Sequence, residues 1–229
     1  MGLVRNGASC CACTVVLAVV AGIASSNDTN SASPEALASR PGTPKAAYAR
    51  LVEGNRRFFS REPAVASTAE IDEMFRRNVA GQTPYATILT CADSRLSPSM
   101  LFDEFLGELF VVREAGNIAV SPTSLGSLEY GRVALDTPLL VVMGHEGCGA
   151  VHAALENADV PGNVKAVIEA IQPGIAGASD LEDAVTKNVR AVIESIRANS
   201  PILSDATMVG AVYRLGTGKV HFLDPAPSD

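Results

Sequence analysis

Between residues 86 and 213 the chain changes hydrophobic period several times, and those changes divide it into short strands and longer helices. Ala86-Thr87-Ile88-Leu89-Thr90, Leu109-Phe110-Val111-Val112, Leu139-Leu140-Val141-Val142-Met143 and Met208-Val209-Gly210-Ala211-Val212-Tyr213 are short, β-rich and apolar. That is the pattern of buried strands. Helical spacing lies before and between them. Lys45 to Phe59 repeats Ala47, Tyr48, Leu51, Val52 and Phe58, and Thr68 to Val79 follows a Ser67/Glu70 capping box. Ser97-Pro98 is a cap and first-turn pair, and Thr123 to Val133 has helical composition. Asp180 to Ala198, behind a Ser179/Glu182 box, lines up Leu181, Ala184, Val185, Val189, Val192, Ile193 and Ile196 as one stripe. Strands alternating with helices predict an α/β fold: a mostly parallel central β-sheet flanked by helices, in the order 2-1-3-4, behind an N-terminal helical arm. Val220-His221-Phe222-Leu223, close behind Gly216-Thr217-Gly218, offers an antiparallel edge strand.

Before the first helix the pattern is of another kind. Arg5 precedes an uncharged stretch from Gly7 to Asn27 whose core, Cys10 to Ala24, is apolar and ends in small residues. This is the anatomy of a signal peptide, and we expect 1–26 to be one, with cleavage after Ala24 or Ser26. The mature chain would then keep only Cys91 and Cys148, would lack a stable membrane span, and would be exported, either periplasmic or secreted. Residues 27–44, rich in Ser, Asn and Pro, read as a flexible linker, and 45–229 as a single domain. The 25 acidic residues outnumber the 18 basic ones, and the basic residues form no stripe, so nucleic acid is excluded as a partner.

Candidate chemistry gathers where strands end. Cys91-Ala92-Asp93-Ser94-Arg95 begins as the first strand stops, and His145-Glu146-Gly147-Cys148 begins just after the third. In an open parallel sheet functional groups collect outside the carboxyl ends of strands, at the switch point where strand order reverses. If the first and third strands are neighbours, Cys91, His145 and Cys148 supply two thiolates and an imidazole, a set suited to tetrahedral zinc with one position left open. A Cys91 to Cys148 disulfide and two inert buried thiols remain the alternatives at this point. Asp93 and Arg95 stand two apart, a spacing that allows a bidentate pair. His152 and His221 have no partner in any motif. No dinucleotide fingerprint, phosphate loop, zincin helix or serine-hydrolase elbow is present.

Cys-x-Asp-Ser-Arg followed by His-x-x-Cys-Gly resembles the β-class carbonic anhydrases. So do Leu51 to Phe58, Gly81 to Pro84, Gly107 to Arg113, Ala115-Gly116-Asn117, Ser127 to Tyr130 and Val141 to Val151, in order and spacing. The resemblance runs from about Lys45 to about Leu223 and implies one Zn2+ per chain on Cys91, His145 and Cys148. It implies reversible hydration of carbon dioxide to bicarbonate and a proton by zinc-bound hydroxide. Asp93 would orient that hydroxide, or swing in as a fourth metal ligand in a closed state, and Arg95 would hold Asp93. Gln82, Phe110 and Tyr130 match substrate-pocket positions of the family, the glutamine coming from a partner subunit, so a homodimer or homotetramer is expected. Glu114 and Glu146 depart from the commoner residues at their positions. Carbonyl sulfide or carbon disulfide hydrolysis on the same zinc site, a non-catalytic zinc or bicarbonate-binding protein, and a thiol-disulfide protein are the rival readings.

Overall fold

The computed structural model describes residues 40–228. The expected signal peptide and most of the linker fall outside them. The element order is α1 (Pro44–Ser60), α2 (Thr68–Ala80), β1 (Ala86–Thr90), α3 (Pro98–Leu101), β2 (Leu109–Arg113), α4 (Pro122–Val133), β3 (Leu139–His145), α5 (Gly149–Leu155), α6 (Val164–Ile171), α7 (Leu181–Asn199), β4 (Met208–Arg214) and β5 (Lys219–Phe222). A short 3-10 turn, Ala115–Asn117, follows β2.

The strands form one sheet in the order β2-β1-β3-β4-β5. The first three pairings are parallel and the last is antiparallel, as the pattern predicts. Every residue of β1 and β3 is buried, because helices cover both faces of the sheet centre. The run Leu109–Val112, expected to be buried, is only half-buried with Arg113 exposed. As an edge strand, β2 has a hydrogen-bonded neighbour on one side only.

Local sequence explains most helix starts. Thr43 accepts the Ala46 N–H ahead of Pro44, so α1 begins one residue inside the predicted linker. Ser67 and Glu70 close the expected capping box on α2, and Ser121 caps α4. The box expected from Ser179 and Glu182 does not form. Asp180 is the cap, its carboxylate accepting the Asp183 N–H, while Glu182 pairs with Arg214 on β4. A carboxylate one residue closer to the helix outcompetes a serine hydroxyl for the orphan amide. The α7 stripe packs against β3 and β4 as its spacing requires.

Candidate metal centre

β1 and β3 are adjacent and parallel, with Thr90 opposite Met143, so their carboxyl ends emerge side by side. Cys91 is the next residue after β1, His145 is the last of β3, and Cys148 is the N-cap of α5 after a turn in which Gly147 takes φ 62°. A positive φ favours glycine at that turn. Ligand atoms of Cys91, His145 and Cys148 all lie within 4.8 Å of one another, and all three residues are buried. Both thiols are free, with their sulfurs 4.0 Å apart. The disulfide alternative is therefore not what the structure holds.

The imidazole has a fixed orientation. His145 Nδ1 lies 2.9 Å from the Glu146 carbonyl. A carbonyl only accepts, so Nδ1 carries the proton and Nε2 presents a lone pair. That Nε2 is buried and has no hydrogen-bond partner. The two sulfurs act on each other: a hydrogen bond from Cys148 pulls Cys91 below the usual thiol range against its burial, helped by the amides of Asp93 and Gly116. The same bond, together with burial, pushes Cys148 up.

Asp93 stands beside this cluster, its Oδ2 3.8 Å from His145 Nε2. Arg95 grips it with Nε to Oδ1 at 2.9 Å and an Nη2 to Oδ2 bond of 2.7 Å, and the Arg95 backbone amide adds a third donor to Oδ1. These bonds hold the Asp93 carboxyl far below the usual carboxylate range, the Arg95 side chain contributing most. Arg113 ties down the backbone of the motif, donating to the Asp93 carbonyl at 2.6 Å and to the Cys91 carbonyl at 3.3 Å. Sequence reasoning gave Arg113 no role. Its contacts run to backbone atoms of a segment about 20 residues earlier, which no spacing rule connects.

The structure therefore brings together Cys91, His145, Cys148, Asp93 and Arg95. It does not bring Gln82, Phe110 or Tyr130 to them. Gln82 lies exposed in the loop before β1, at the end of the strand opposite Cys91. Phe110 is paired with Thr87 near the amino end of the sheet and packs against Tyr130 with the rings tilted, centroids 5.9 Å apart. Tyr130 is half exposed. The Glu146 carboxylate accepts the Gly216 N–H and so turns toward the hairpin between β4 and β5. His152 and His221 are exposed.

A mostly parallel α/β sheet with two cysteines and a histidine gathered at the carboxyl ends of neighbouring strands defines a protein with a metal-ligating type of centre. The comparisons with known proteins carry this further. A family model for carbonic anhydrase matches residues 86–220. The chain is similar to carbonic anhydrase 2 of Mycobacterium tuberculosis, 36% identical over 196 residues that span 79% of this chain and 93% of that protein. The carbonic anhydrase of Mycolicibacterium smegmatis is 34% identical over 78% of this chain and 92% of its own. Among solved structures, a Coccomyxa β-carbonic anhydrase in complex with acetazolamide superposes with a TM-score of 0.60 at 28% identity, covering 76% of this chain and 84% of that one. The chain belongs to the β-carbonic anhydrase family.

Proposed function

We propose that this protein is a zinc-dependent carbonic anhydrase that interconverts carbon dioxide and bicarbonate, with Cys91, His145 and Cys148 holding one zinc ion per chain. The observation that carries the reading is the buried, unpartnered lone pair of His145 Nε2 beside two sulfurs. Such an atom is costly in a protein interior unless something takes its lone pair. The donor set fits zinc: two sulfurs on a tetrahedral ion with bonds of about 2.3 Å stand about 3.8 Å apart, close to the 4.0 Å here. His145 is held by the Glu146 carbonyl in the tautomer that ligation needs. Three ligands leave one position open, the mark of a catalytic rather than a structural site.

Bound there, zinc would supply Lewis acidity that makes water nucleophilic near neutral pH. The chain's own residues do the rest. Asp93, kept ionised by Arg95, would accept a hydrogen bond from the reacting water and so direct a lone pair of the water oxygen at carbon. In a closed state the same carboxylate, 3.8 Å from His145 Nε2, would serve as the fourth ligand. Gln82, Phe110 and Tyr130 form the apolar and hydrogen-bonding wall of a neighbouring subunit's pocket, so the working unit is a homodimer or a dimer of dimers. Exposed Phe75 and Val79 on α2, Leu106 before β2, and Tyr130 and Val133 on α4 support this, since apolar groups on neighbouring elements call for cover. We further propose export, directed by residues 1–26. N-terminal sequencing of the cell-made protein tests that, a start between Ser25 and Asn27 being expected and an intact Met1 overturning it.

The central test is stopped-flow carbon dioxide hydration from about pH 6 to about pH 9, with zinc measured on the same sample. Turnover that rises with pH at about one zinc per chain is expected. Full zinc with no turnover at any pH, or absence of zinc, would overturn the reading.

A further inference from the structure

Helix α7 turns an apolar stripe toward the sheet, and one position on that stripe is an amide. Asn188 sits among Ala184, Val185, Val189 and Val192 and is 2% exposed. An amide buried in apolar surroundings costs stability unless it is bonded. Its Nδ2 donates to the Gly116 carbonyl at 2.8 Å. The N–H of the same Gly116 donates to Cys91 Sγ at 3.3 Å. Gly116 itself has φ 70°, and a Cβ added there would stand 2.5 Å from Ile171 Cδ1 on α6. The residue is thus gripped on one side by packing, on another by Asn188, and spends its amide on a sulfur of the metal cluster.

Other donors to the two sulfurs are local. The amides of Ala150 and Val151, in the first turn of the helix that Cys148 caps, favour the charged form of Cys148, and that of Asp93, two residues on, favours the charged form of Cys91. Among the described residues, the Gly116 N–H is the one backbone donor hydrogen-bonded to a sulfur from a distant segment, 25 residues along the chain, and its peptide is steered by a third element. A donor on a thiolate draws charge from the sulfur, which then gives less to a metal and leaves that metal more acidic.

We propose that Asn188 is a positioning residue of the metal centre: it holds the Gly116 peptide against the Cys91 sulfur, limits the charge Cys91 gives to the metal, and thereby sets the metal's acidity. This rests on the metal-centre reading above. It makes α7, which carries none of the three candidate ligands, part of the device that fixes the pH range of activity.

The test compares cobalt-loaded and zinc-loaded forms of the wild type, Asn188→Ala, Asn188→Asp and, as a control, Ile196→Ala on the same helix. Asn188→Asp keeps the volume of the side chain and loses the donor while ionised, so it serves if the alanine variant does not fold. In the Asn188 variants the sulfur-to-cobalt charge-transfer band is expected to move to lower energy, because a thiolate with one donor fewer is easier to oxidise. The midpoint of the pH–rate profile is expected to move up by roughly half a unit, about a threefold change in the underlying equilibrium. Ile196→Ala lowers the melting temperature and moves neither. Folded Asn188 variants whose band and midpoint coincide with those of the wild type would show that Asn188 merely satisfies a buried carbonyl. A wild type that takes up cobalt with no sulfur band would overturn the metal reading itself, before any variant is compared.

Discussion

Asp93 owes its ionised state to Arg95, and its place beside the cluster to Arg113, which holds the backbone on either side of Ala92. Charge is therefore what Asp93 contributes, and Asp93→Asn isolates it. The variant is expected to keep about one zinc per chain, because Cys91, His145 and Cys148 are untouched, and to lose rate on the order of a hundredfold. Metal analysis and stopped-flow hydration on one preparation decide it, full activity being the result that removes the orienting role. The depressed carboxyl also links stability to pH. A group whose folded-state pKa lies below its unfolded value stabilises the fold above about 3.9, and loses that contribution as pH falls toward the folded value. Asp93→Asn should accordingly melt below the wild type near neutral pH, with the gap closing on acidification. A gap that stays constant into acid would mean the carboxylate is not held ionised by the fold. The effect is modest, since Arg95 is largely in solvent. At this scale the sequence was informative wherever ligand chemistry is local: the two motifs name all five residues that converge. It was silent on Arg113, whose bonds are to backbone atoms. Asn188 left a trace that spacing could have caught, since it interrupts an otherwise apolar stripe.

Elements were legible in proportion to how strongly their period is written. The strands and α7 follow from well-marked apolar runs and a long stripe, whereas α5 and α6 span only seven and eight residues, about two turns each, too short for spacing alone to identify them. What locks the elements together was not legible. Asn55, buried on α1, donates to the carbonyls of Leu101 and Gly218 at 2.9 and 3.0 Å and accepts the Val220 N–H at 2.8 Å. One side chain thus joins α1 to the end of α3 and to the hairpin of β5. The neighbouring Gly54 permits the contact, because a Cβ there would fall 1.9 Å from the Phe102 carbonyl oxygen. Asn55→Ala leaves three backbone groups without their partner and is expected to cost about 3 kcal/mol in denaturant unfolding. A loss under about 1 kcal/mol would mean water replaces the amide at little cost. The resemblance to a family marks these positions, but only the structure says that they are stitching rather than chemistry.

On the scale of the whole molecule, strand direction bears on the proposal that a second copy completes the site. Gln82 and the tilted ring pair of Phe110 and Tyr130 lie toward the amino ends of β1 and β2, while Cys91 and His145 lie at the carboxyl ends of β1 and β3. The strand between Gln82 and Cys91 is five residues long, so about 15 Å of sheet separates the two groups. No side-chain rotation spans that distance. On the proposed reading, one copy carries a metal-binding half and a wall-forming half that do not meet, and a two-fold dimer would offer each half to the partner. Complementation tests this directly. Cys148→Ala should abolish metal binding and activity, and Gln82→Ala should keep metal and lose most of its activity. Mixed in equal amounts and allowed to exchange subunits, half of the dimers pair a Gln82→Ala chain with a Cys148→Ala chain. Each mixed dimer has one site with its own ligands intact and an intact glutamine donated across the interface, so about a quarter of wild-type activity should return. Mixtures that stay as inactive as their parents after proven exchange would place Gln82 in its own chain's site or in none, and the shared pocket would have to be given up.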